Sequence, residues 1–198
     1  MKRIIFATSN EGKMKEIRMI LSDLDVEVLS LKEAGIRAEI EENGSTFEEN
    51  AIIKAKAIME LSGEIVFSDD SGLEVDYMGK APGVYSARFL GEDTSYDIKN
   101  QYIIDQLKDA KEEERTARFV CVIACAFPDG RVVTRRGTIE GLIAHEISGA
   151  NGFGYDPVFY LPEYGCTTAE LSPERKNEIS HRGKALRAMR DVIAEVLC

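Results

Sequence analysis

The chain has 198 residues, 44% hydrophobic and 30% charged, a length and composition that suit one soluble domain with a substantial core. Its 35 acidic against 25 basic side chains give a net charge of −10, which repels a long polyanion and disfavours general DNA or RNA binding. No apolar run approaches the ~20 residues of a membrane helix, and the opening MKRIIFATSN turns polar too soon for a signal peptide, so a cytoplasmic protein with no membrane partner is expected.

KRIIFA reads as a buried strand. The stretch that follows, FATSNEGKMKEI, turns into a helix that Ser9 or Asn10 caps, with Met14, Ile17, Ile20 and Leu21 at the helical period. A helix start presents unpaired N–H groups and the positive end of a dipole, a natural seat for an anion. Thr8, Ser9 and Asn10 add side-chain donors there, and Lys13 adds a full charge. It is not a Walker A loop, because Ala7 and Met14 stand where that motif needs Gly and Ser or Thr. Taken alone, the stretch is a capped turn with an exposed lysine.

VEVLSL is a second strand, and RAEIEENGS a strand end or loop with Glu41 and Glu42 at its acidic tip. STFEENAIIKAKAIMELSG is the clearest helix, with Thr46 and Glu49 as a capping box and Gly63 as its stop. Phe47, Ala51, Ala55 and Ile58 line its inner face. Lys54 falls inside that face, with Asn50 at its edge, while Lys56 faces outward. An inward lysine needs an anionic partner or a cleft.

EIVFSDDSG reads as a strand, then a loop that places Asp69 and Asp70 at a carboxyl edge, where ligands of α/β folds bind. Adjacent aspartates repel unless a cation or a raised pKa relieves them. One of them can bind magnesium or take a proton from water, with Ser71 meeting a phosphate. An ordinary Asp-Ser-Gly turn fits the same residues equally well.

PGVYSARFLG is irregular, and SYDIKNQYIIDQLKDAK is an amphipathic helix with EEER as its solvated tail. ARFVCVIACAF, PDG and RVVTRRGTIEGLI form a hairpin. Its Cys121 and Cys125, with Cys166 and Cys198, lack metal spacing and read as buried thiols in a reducing compartment. With two histidines only, a metal here is hard and oxygen-bound, which points to magnesium. GANGFGYDP lets backbone approach a ligand, with Phe153 and Tyr155 as candidate base stackers and Asp156 as a polar reader. Next comes a short helix capped by Ser172, then a longer one with Ala185, Met189, Val192 and Val196 inward. At their junction lie Lys176, His181 and Arg182, whose charge opposes the second helix's dipole. Lys111, Lys184, Arg187 and Arg190 read as solvent-facing. Alternating elements and a central hairpin predict an α/β protein with a mixed sheet flanked by helices.

TSNEGK, DDSG, PGVYSARF, FGYDP and SHRGKAL stand in that order, and with them the whole chain closely resembles the inosine triphosphate pyrophosphatase family, whose bacterial members act as dITP/XTP pyrophosphatases. The resemblance implies one domain over residues 1–198 with two lobes, an elongated mixed sheet and an active-site cleft between the lobes. It implies a magnesium-dependent homodimer that converts ITP, dITP or XTP to the monophosphate and pyrophosphate. By the same resemblance Thr8, Ser9, Asn10, Glu11, Gly12 and Lys13 grip the triphosphate, and Lys54 points into the cleft. Glu41 and Asp70 hold the metal, Asp70 also accepting the proton with Asp69 in support. Ser71 meets the substrate. Phe153, Gly154, Tyr155 and Asp156 form the base pocket, His181 and Arg182 are the pair that reads the base, and Lys176 binds the substrate. A non-hydrolytic nucleotide sensor and a phosphohydrolase for other modified nucleotides are the rival readings.

Overall fold

A computed structural model describes residues 2–197; Cys198 lies outside the described residues. In chain order the strands and α-helices are β1 (Lys2–Phe6), α1 (Glu11–Ile20), β2 (Val26–Ser30), α2 (Phe47–Ser62), β3 (Val66–Val75), α3 (Tyr96–Gln106), β4 (Thr116–Ala126), β5 (Val132–Ile143), β6 (Phe159–Leu161), β7 (Cys166–Thr167), α4 (Pro173–Ile179), α5 (His181–Ala188) and α6 (Arg190–Leu197). The strands form a seven-stranded sheet of order β2-β1-β3-β4-β5-β6-β7. β1 runs parallel to both β2 and β3, whereas β6 is antiparallel to β5 and β7, so the sheet is mixed as expected. The sheet with its helices is an α/β fold.

The chain divides into two compact units. The first comprises residues 1–70, 121–137 and 181–198, and the second residues 71–120 and 138–180. Each unit has its own apolar core. In the first, Ile4, Phe6, Met14, Ile17, Phe67 and Ile193 are among the buried side chains. In the second, Leu73, Ile103, Phe119 and Phe159 play that part, the two phenylalanine rings lying 4.4 Å apart.

Local chemistry accounts for the element ends. The Asn10 side chain caps α1 by accepting from the Lys13 N–H, and Thr46 caps α2 by accepting from the Glu49 N–H. Glu49 reaches back to the N–H and hydroxyl of Ser45, one residue further than the usual capping box. Gly63 ends α2 in the left-handed region, at φ 68°, where a β-carbon is costly.

Four expectations need correction. SDDSG is not a turn: β3 continues through it to Val75, because the cations that surround the aspartates let them stay in the ladder. EEER does not end in solvent, since Arg115 is buried and donates to the carbonyls of Leu107, Ile143 and Ala144. The last long helix is two, α5 and α6, parted at the buried Met189. Cys121 and Cys125 are buried thiols, but Cys166 is only half-buried.

Candidate active site

The first unit gathers charge around β3. The Lys13 ammonium, in the first turn of α1, lies 3.0 Å from Asp69, whose side chain has no exposed surface. Behind it the loop is already organised: the Thr8 hydroxyl accepts from the Asn10 N–H at 3.1 Å. Ser9, Asn10 and Glu11 are exposed, and Gly12 is half-buried. The helix start therefore offers its outer face to solvent while its lysine is anchored inward.

Lys54 is buried on the inner face of α2, as its helical angle requires. Its ammonium donates to the Asp69 carbonyl at 2.9 Å and pairs with Glu42 at 3.0 Å. Burial opposes this charge, but Asp69, Glu42 and Asp70 outweigh burial and hold its pKa above the ordinary lysine value. Of the acidic loop residues, Glu42 enters the cluster; Glu41 is exposed beside it.

Adjacent Asp69 and Asp70 behave oppositely. Burial would raise the Asp69 pKa, yet Lys13, Arg182 and Lys54 together pull it well below the usual carboxylate range. Asp70 is also buried, and there burial wins. With Glu42 and Asp69 adding repulsion against Lys54 and Lys13, its pKa is pushed up to about 6. Its Oδ2 is buried and makes no hydrogen bond among the described residues. One carboxylate is thus locked as an anion that organises cations, and its neighbour is left poised to exchange a proton.

The first turn of α5 supplies Arg182, which lies 3.3 Å from Asp69 and pairs with Glu16 on α1. Arg182 is almost wholly buried, with its guanidinium in this ion cluster. His181 beside it is also buried. A β-carbon at Gly137 in β5 would come within 2.3 Å of the His181 carbonyl, so only glycine lets α5 start this close to the sheet. Glu16 was not anticipated from sequence. Its signal is its place one turn beyond Lys13 on α1, an acid on a stripe that also carries a cation.

The second unit holds Ser71, which follows Asp70 in β3 and is half-buried, together with the glycine loop. Asp156 is buried; its Oδ2 accepts from the Phe153 N–H at 2.8 Å and pairs with Lys176 at 2.6 Å, while Oδ1 accepts from the Thr168 hydroxyl at 2.8 Å. This carboxylate shapes the loop rather than reaching out from it. The Tyr155 hydroxyl donates to the Ser86 carbonyl at 2.6 Å and its ring is buried, so Tyr155 ties the loop to the segment around Ser86. Asn100 holds the Gly154 carbonyl at 3.1 Å. Phe153 remains half-exposed with the Lys176 ammonium 4.8 Å from its ring centre, an aromatic face next to a cation.

Among the described residues no three Asp, Glu, His or Cys side chains form a cage for an ion. A hard divalent cation that keeps its waters needs no cage, since one or two carboxylates suffice when a phosphate ligand supplies the rest. The unbonded Asp70 Oδ2, with a glutamate of the 41–42 loop, fits that requirement. Lysines, a poised carboxylate and an open helix start are parts suited to attack of water on a phosphorus centre.

The pattern for the Ham1 family matches residues 4–192, nearly the whole chain. The chain belongs to the Ham1 family. Among similar Ham1 relatives, the dITP/XTP pyrophosphatase of Desulforamulus reducens is 49% identical over 191 residues, 96% of this chain and 95% of that protein. That of Clostridium perfringens is 46% identical over the full length of both. The solved HAM1 protein from Coxiella burnetii has a TM-score of 0.89 at 41% identity, covering 98% of this chain and all of that one. The Staphylococcus aureus Ham1 protein has a TM-score of 0.87 at 40% identity, with 98% and 99% covered. Within the described residues, no helix of this Ham1 protein is long and apolar enough to cross a membrane.

Proposed function

We propose that this Ham1 protein hydrolyses non-standard purine nucleoside triphosphates (ITP, dITP and XTP) to the monophosphate and pyrophosphate, clearing them from the nucleotide pool. Relatives named dITP/XTP pyrophosphatase, 44 to 49% identical over at least 96% of the chain, support the activity. The observation that carries the chemistry is the asymmetric acid pair, with Asp69 bound by cations and Asp70 buried beside it with an unbonded oxygen.

In this reading a water oxygen bonds to the α-phosphorus, the bridge from the α-phosphorus to the β-phosphate oxygen breaks, and pyrophosphate leaves. Asp70 accepts the water's proton at its carboxylate, which burial makes more basic than an ordinary aspartate in the metal-free protein. Lys13 and Lys54 stabilise negative charge on the phosphates, and Thr8 to Gly12 present backbone and side-chain donors around them. Ser71 donates to a phosphate oxygen. Asp70 and a glutamate of the 41–42 loop would hold magnesium, which when bound would neutralise charge on the triphosphate.

The base roles go to Phe153, Gly154, Tyr155 and Asp156, with His181 and Arg182 as the pair that reads the base and Lys176 binding the substrate beside them. Phe153 offers its face for stacking, and Asp156 and Tyr155 fix the backbone around it. A 6-oxo purine accepts a hydrogen bond where adenine presents an amino donor. A site built to donate there leaves the wrong base with an unpaired donor, a discrimination of up to ~10⁴-fold. The reading includes a cytoplasmic homodimer, which sedimentation of the purified protein checks.

The test is a nucleotide panel with product identity followed by phosphorus NMR while magnesium is varied. dITP should give dIMP and pyrophosphate in equal amounts, with little turnover of dATP or dGTP. Orthophosphate as the first product, or preference for a 6-amino purine, would contradict the reading.

A further inference from the structure

The acidic loop that carries Glu41 and Glu42 is held to α2 at successive points. Its Gly44 N–H donates to the Asn50 side-chain oxygen at 2.8 Å, and its Ser45 N–H to Glu49 at 2.6 Å. Asn50 is almost wholly buried and lies one turn before Lys54, whose ammonium pairs with Glu42 at 3.0 Å. The packing at the joint is tight. A β-carbon at Gly44 would stand 2.7 Å from both the Asn50 side-chain oxygen and the Glu49 β-carbon, and 3.0 Å from the Asn50 backbone nitrogen. No side chain fits there without moving the loop off the helix.

We propose that Asn50 is a positioning residue that fixes the Glu41–Glu42 loop against α2, setting the distance of its carboxylates from Asp70. Asn50 does not reach the metal or substrate in this assignment; it acts through Gly44 on the loop. Glycine at 44 is required for the same reason, since only the absence of a side chain lets the loop N–H reach the buried amide. The inference rests on the proposed metal-dependent reading of this site, and it adds a residue whose own side chain binds nothing that reacts.

The test uses the full chain with Mn²⁺ as a paramagnetic probe, titrated by EPR in the presence of an α,β-methylene analogue of dITP. Asn50→Ala and Gly44→Ala should each weaken Mn²⁺ binding by about five- to tenfold, the loss of one well-made hydrogen bond to a buried amide. Asn50→Asp keeps the acceptor and should bind Mn²⁺ at least as well as the parent. In turnover assays the half-saturating magnesium concentration should rise more than kcat falls. Should Asn50→Ala not fold, Gly44→Ala decides, because residue 44 lies in a loop outside the core. Parent-like Mn²⁺ affinity in a folded Asn50→Ala, or in Gly44→Ala, overturns the positioning role. Failure of the underlying reading is separate and visible first: the unaltered protein would then bind no Mn²⁺ with the analogue and release no pyrophosphate from dITP.

Discussion

The Lys13 ammonium sits 3.0 Å from a carboxylate, that of Asp69, which has no solvent-exposed surface at all. This contact ties the first turn of α1 to the middle of β3, and Arg182 closes on the same carboxylate from α5. Asp69 is therefore the anion around which three elements of the first unit converge. Removing its charge takes this partner from the half-buried Lys13 and leaves the buried Arg182 with one carboxylate fewer beside it. Asp69→Asn should cost about 3–5 kcal/mol of unfolding free energy, read from urea midpoints. A loss under ~1 kcal/mol would mean that the pair behaves like a surface salt bridge.

The pH dependence of stability follows from the two aspartates with opposite signs. The folded pKa of Asp69 is depressed, so its contribution is present above the unfolded carboxylate value near 4 and is lost as pH falls below it. The folded pKa of Asp70 is raised to about 6, so the folded state binds more protons between about pH 4 and 6, and stability falls as pH rises through that window. In metal-free protein, Asp70→Asn should remove this second slope. Its advantage over the parent should grow from pH 4 to 6 and level off at ~1–2 kcal/mol, the effect of a carboxyl raised to about 6 reduced for residual solvent contact. Urea melts in EDTA across that range check it; parallel curves for the two proteins would refute the desolvated state of Asp70.

These two residues also show what the sequence could and could not say. Adjacent aspartates after an apolar run announced a charged site, and the helical angle of Lys54 announced an inward cation, because both rest on local periodicity. The continuation of β3 through Asp69 and Asp70 was hidden, since Asp-Ser-Gly has turn chemistry and only Lys13, Arg182 and Lys54, all far in sequence, make a strand tolerable there. Arg182 and Asp156 were legible as site residues from the family resemblance, but not their engagement by Glu16 and by Phe153, Thr168 and Lys176. Pairings between distant segments leave no period in the chain. Arg115 in an acidic run is the same case, a cation that reads as solvated until its carbonyl partners are known.

Gly152 tests the loop. It has a φ of 73°, and a β-carbon there would lie 2.2 Å from Asp156 Oδ2. Gly152→Ala should displace the carboxylate that fixes the Phe153 N–H, raising KM for dITP by about tenfold with a smaller change in kcat. Unchanged KM would show that the loop geometry does not serve base binding.

Arg115 tests the second unit's stability apart from any ligand. Arg115→Met keeps much of the side-chain volume but strips charged donors from the carbonyls of Leu107, Ile143 and Ala144. A loss of about 3 kcal/mol or more is expected in thermal or urea unfolding, because three acceptors lose their donor together. A loss below ~1 kcal/mol would mean water replaces the guanidinium without cost.

The most direct measurement is hydrolysis of dITP in water enriched with oxygen-18, with the products separated and weighed by mass spectrometry. Attack at the α-phosphorus beside Asp70 puts the heavy oxygen into dIMP and leaves the pyrophosphate unlabelled. Label in the pyrophosphate would mean that water strikes the β-phosphorus, and the assignment of Asp70 and its surrounding cations to the α-phosphate would be wrong.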